Sequence, residues 1–74
     1  MLMDEEREVK IVMAGGECAL VLPLDAVHRL REDFCKWIHD PNAAKFFRYS
    51  TEDKEYVIRF EGILYLIISH RNHS

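Results

Sequence analysis

Cys18, His28, Cys35 and His39 are the set in this chain whose side-chain types could hold a metal ion. If residues 24–39 are helical, His28, Cys35 and His39 fall within about 40° of one another on the helix circumference. Cys35 and His39 would then form an i, i+4 pair, and Cys18 could approach from a neighbouring strand. Zinc accepts nitrogen and sulfur ligands of this kind in a tetrahedron. The spacing is unlike the tight C-x₂₋₄-C pairs of structural zinc sites, however. The plainer expectation makes Cys18 and Cys35 small core residues and places both histidines at the rim of an apolar helix face. No metal and no cofactor is expected.

A second set could bind nucleic acid. Lys45, Arg48, Lys54, Arg59 and Arg71 are interleaved with Phe46, Phe47, Tyr49, Tyr56 and Tyr65, and a sheet presenting aromatics beside arginines can stack bases and hold phosphates. Alternation places Phe47, Tyr49 and Tyr56 on the same face as Ile58 and Phe60, which is the expected core face. Only Phe46, Arg48 and Arg59 then point outward together, with Glu52 and Glu55 beside them. A net charge of −3 also argues against a dedicated nucleic-acid binder.

Catalytic patterns are weaker. Ser50 and Thr51 lie in a turn with no histidine at a short fixed spacing. Glu32-Asp33 falls on the polar side of the helix, and Gly15-Gly16 is not followed by a helix, so it cannot cradle a phosphate. A chain of 74 residues has little room for a walled pocket unless an oligomer interface supplies one.

The elements that would position these groups can be read from periodicity. Glu8 to Ala14 alternates, with Val9, Ile11 and Met13 on one face. Gly15-Gly16 supplies a two-residue turn, and Glu17 to Leu22 is the return strand. That loop puts Met13 opposite Cys18, Ile11 opposite Leu20 and Val9 opposite Leu22, all on one face. Pro23 suits a helix start. From Leu24 to His39, Leu24, Ala26, Val27, Leu30, Phe34, Cys35, Trp37 and Ile38 fill about half the circumference. Arg31 lies inside that arc with its stem along the apolar surface. Asp40-Pro41 ends the helix. Phe46 to Ser50, Glu55 to Phe60 and Ile63 to Ser69 read as three further strands, separated by Thr51 to Lys54 and by Glu61-Gly62.

The order is ββαβββ: a single helix packed on an antiparallel sheet of about five strands, an α+β fold. Residues 1–74 form one small domain with termini frayed over about 1–6 and 70–74. The composition is 49 % hydrophobic with four Phe, three Tyr and one Trp, which is globular rather than disordered. A chain this short buries only about 60 % of its unfolded surface, so it benefits from a disulfide, a metal or a partner. Two cysteines do not make a secreted framework. Met1-Leu2-Met3 runs straight into Asp4-Glu5-Glu6, without the basic start of a signal peptide. The longest apolar run, Ile63 to Ile68, is too short to span a bilayer. The expectation is a cytoplasmic protein with no membrane contact and reduced thiols.

The last strand is apolar on both faces. With a two-residue turn at Glu61-Gly62, Tyr65 lies opposite Ile58, and Ile63, Tyr65 and Ile67 join the core. Leu64, Leu66 and Ile68 then share the outer face with Val57, Phe46, Val12 and Val21. A longer, bulged turn exchanges the rows. Either way one row stays uncovered, because there is one helix for two faces. The expected function is a non-catalytic homo-oligomeric interaction or regulatory module, associating through that apolar face at Leu64, Leu66, Ile68, Val57 and Phe46. A protein partner other than itself is possible. The alternatives are a nucleic-acid-binding module around Arg48, Arg59 and Lys45, and a zinc-supported domain on Cys18, Cys35, His39 and His28.

Overall fold

Alternating and helical periodicities translate into five strands and one helix in a computed structural model that describes residues 5–71. The elements are β1 (Glu6–Met13), β2 (Gly16–Pro23), α1 (Leu24–His39), β3 (Phe46–Ser50), β4 (Glu55–Arg59) and β5 (Ile63–Ile68). The order ββαβββ is the one expected. The strands divide into an antiparallel three-stranded sheet, β2-β1-β5, and a two-stranded sheet, β3-β4. Of the termini expected to fray, residues 1–4 and 72–74 lie outside the described residues. Glu6 already belongs to β1, and the Glu5 carbonyl accepts the N–H of Leu24 at 2.9 Å.

The first hairpin turns one residue earlier than the glycine pair suggested. Ala14-Gly15 is the loop, and Met13 pairs with Gly16, Ile11 with Cys18, Val9 with Leu20 and Arg7 with Leu22. The register is therefore shifted by two residues from the expected one. A shift of two leaves every side chain on its expected face, because directions alternate with period two. The positive φ falls on Gly16, at +148°, so the glycine requirement lies at the first residue of β2. Two adjacent glycines do not reveal in sequence which of them carries it.

Helix α1 has the expected limits. No side chain caps its start; the Glu5 carbonyl takes the first helical N–H instead. At the far end the Asp40 carboxylate accepts the N–H of Asn42 at 2.9 Å, and Pro41 prevents continuation. Its buried face is narrower than the predicted arc: Ala26, Val27, Leu30 and Phe34 are buried, Trp37 is half-buried, and Cys35 and Ile38 are exposed. Phe34, Trp37 and Phe60 form an aromatic cluster with centroid separations of 5.6 to 6.2 Å. They join Val9, Ile11, Leu22, Phe47, Ile58 and Ile63 in one core. Such ring pairs add to the apolar burial that holds the helix against both sheets.

β4 and β5 are consecutive but not paired. Phe60 extends the β3-β4 ladder by donating to the Lys45 carbonyl at 3.0 Å, and its own carbonyl accepts the N–H of Ile63 at 3.1 Å. Gly62, at φ +91°, makes that turn possible. The chain then enters the other sheet, where β5 runs antiparallel to β1. Tyr65 is therefore not opposite Ile58; it pairs with Val12, and Ile58 pairs with Phe47.

Candidate interaction surfaces

Leu64 is the extra residue of a bulge in β5: Met13 pairs with Ile63 while the adjacent Val12 pairs with Tyr65. A bulge of this kind resets which residues of a strand face which side. Ile63 is buried, and Leu66 and Ile68, opposite Ile11 and Val9, pack against the core. The row facing away from the helix is consequently Tyr65 and Ile67, with Leu64 beside them; these are 51 %, 48 % and 62 % exposed. The expected outer row of Leu64, Leu66 and Ile68 thus keeps only Leu64, and the bulge has exchanged the other two.

On this outer face the rows read Ala19–Lys10–Ile67 and Glu17–Val12–Tyr65, with Val21 opposite Glu8 above them. Apolar side chains surround one lysine flanked by two glutamates. No described element packs over this face.

Val57 and Phe46 belong to a separate surface, the outer side of β3-β4, where they are exposed together with Arg48, Arg59 and Glu55. Arg48 pairs with Glu55 at 3.8 Å and Arg59 with Glu61 at 3.1 Å. The arginines on which a phosphate contact would rest thus each stand beside a carboxylate. Tyr49 and Tyr56 stack on the inner side at 6.4 Å, and Phe47 is buried with Arg29 over its ring, so of the aromatics on β3 and β4 only Phe46 shares the face of those arginines. Lys45 lines a small depression with Trp37, Arg59 and Glu61.

A third surface was not foreseen. Burial on the inner face of the first hairpin falls from Val9 and Ile11, which are buried, to Met13 and Cys18, which are exposed. The hairpin tip outruns the helix and the second sheet. Between it and β4 lies an open, mostly apolar trough of about 550 Å³, lined by Met13, Cys18, Leu20, Tyr56, Ile58 and Ile63 among others. The backbone edge of β4 forms one wall. The signal for it in sequence is the near-equal apolarity of both hairpin strands up to the turn, which exceeds what one 16-residue helix can cover.

The metal set is dispersed. Cys18 is on the hairpin tip, Cys35 and His39 share a shallow surface depression with Asp33, Lys36 and Asp40, and His28 lies against Arg31 at 3.3 Å. Among the described residues no three His, Cys, Asp or Glu side chains come together to hold an ion. Both cysteines are exposed, which corrects their expected placement in the core: Cys18 lies beyond the helix's cover and Cys35 just outside its buried stripe. The Ser50 hydroxyl reaches Glu55 at 3.4 Å, and that of Thr51 accepts the N–H of Lys54 at 3.0 Å, a local turn arrangement. Among the described residues no helix is long and apolar enough to cross a membrane.

Comparison of the chain with protein-family models, curated proteins and solved structures finds no match.

Proposed function

We propose that this protein is a non-catalytic homo-oligomeric interaction or regulatory module that associates by stacking the outer face of its three-stranded sheet on that of a second copy. The observation that carries this reading is the outward row Tyr65 and Ile67, with Leu64 and Val12 beside it, which no described element of the chain covers. Contiguous apolar surface of this sort on a small domain marks an interaction site. Identical chains are the simplest partner. The charges support self-stacking too, because Lys10 and the flanking Glu8 and Glu17 offer both signs to a two-fold-related copy. The cytoplasm is the compartment we assign: Cys18 and Cys35 are free and exposed, a state that a reducing environment maintains.

The test is the solution mass by light scattering. A dimer or higher oligomer at micromolar concentration is expected, and Ile67→Lys should reduce the mass while preserving the far-UV circular dichroism. A wild-type monomer at high micromolar concentration would overturn the reading.

A further inference from the structure

Among the described residues β4 pairs with β3 along one side only, and its other edge opens onto the trough beneath the hairpin tip. The direction of its backbone groups follows from the ladder. Lys54 and Phe60 bond across to β3 and its flanks, through Thr51 and Lys45, and Tyr56 and Ile58 share their parity. The N–H and C=O groups of Glu55, Val57 and Arg59 therefore point to the open edge. An unprotected edge of this kind is a template for another strand.

The geometry points to a second copy of β4 as that strand, paired antiparallel about a two-fold axis through Val57. This is the register in which the open-edge groups of both copies meet. Val57 then lies opposite Val57, and Glu55 opposite Arg59 of the other copy, twice by symmetry. Every cross-strand pair formed by outward side chains is complementary, two of them in charge. On the inner face Tyr56 meets Ile58 of the other copy, an aromatic against a β-branched residue. Those rings extend the apolar lining of the trough and supply a cover for Met13 and Cys18, which the chain alone leaves exposed. The intrachain pairs of Arg48 with Glu55 and Arg59 with Glu61 lie at the surface and give up little when rearranged. The result is a four-stranded sheet, β3-β4-β4-β3, across the two chains, an isologous contact. It requires the second copy that the proposed function also invokes, but it uses different residues from the stacked face.

The experiment is a symmetric cross-link. In a hydrogen-bonded antiparallel pair the facing Cα atoms are about 5.5 Å apart, within the span of a disulfide. With Cys18→Ser and Cys35→Ser as background, Val57→Cys should form a disulfide-linked dimer under mild oxidation, and Glu52→Cys in the adjoining turn should not. Arg59→Glu and Glu55→Arg should each weaken self-association on the order of tenfold, and the two together should restore it. Absence of the Val57→Cys dimer, or a double reversal no tighter than either single one, would overturn the edge pairing. Ile67→Lys should leave the cross-link intact. Loss of mass in Ile67→Lys without a Val57→Cys dimer would refute the edge contact and keep the stacked face. A cross-link in a chain whose mass ignores Ile67→Lys would do the reverse.

Discussion

The carbonyl of Phe60 accepts the N–H of Ile63 at 3.1 Å, and this one turn carries the chain out of one sheet and into the other. It depends on Gly62, whose φ of +91° is costly for a residue with a side chain. Among the described residues beyond its two chain neighbours, no heavy atom lies within 4 Å of where a Cβ would stand, so the penalty is one of backbone conformation. Gly62→Ala should lower stability by about 1–2 kcal/mol in a urea titration. A neutral effect would show that the corner is built differently.

The first hairpin offers a paired comparison. Gly16 has a φ of +148° and Gly15 a non-positive one, and both have open space around them. Gly16→Ala should therefore be destabilising. Gly15→Ala should be neutral, or stabilising by about 0.4–1 kcal/mol through the unfolded chain. The opposite order in thermal melts would place the turn at Gly15-Gly16 after all.

Phe34 is buried and meets both Trp37 and Phe60. Its truncation to Ala removes a ring from the point where the helix meets the end of β4. A loss of about 3–5 kcal/mol is expected, which is a large share of the stability of a domain this size. A loss below about 1 kcal/mol in denaturant titration would mean that α1 packs through another face.

Two adjacent residues of β5 should respond in contrary ways to the same change. Leu66 packs on the core and Ile67 faces outward. Leu66→Lys buries a charge and should unfold the chain or lower its melting temperature at every concentration. Ile67→Lys should leave the chain folded, and its melting temperature should lose the part of its concentration dependence that the stacked face confers. Identical behaviour of the two variants would contradict the assigned faces.

Cys18 and Cys35 are both exposed. Both thiols should react with a small aromatic disulfide reagent in the native protein, without denaturant. Slow reaction of Cys18 alone at high protein concentration, relieved by dilution, is expected if the trough is covered by a second copy.

Much of the fold was legible from residue pattern. The limits of α1 follow from Pro23 and from Asp40-Pro41, both local signals with local causes. The ββαβββ order follows from the switch between periods of two and 3.6. The face assignments of β1 and β2 survive even though the register moved, because a slip by two residues preserves side-chain direction.

What the sequence could not decide is where the long-range pairings fall. Ile63 to Ile68 is apolar on both sides, so period two gives it no inward face. The side was chosen by the bulge at Leu64, which exists only in the pairing of β5 with β1. In the same way Glu61-Gly62 reads as a hairpin loop, yet it turns a corner between sheets, because β5 pairs with β1 and, among the described residues, β4 has β3 as its only strand neighbour. The open edge of β4 follows from that choice. Composition and periodicity determined that this chain has more apolar sheet than its helix can cover. Only the tertiary arrangement decided which residues are left bare, since burial depends on which strands meet and not on the order in which they are written.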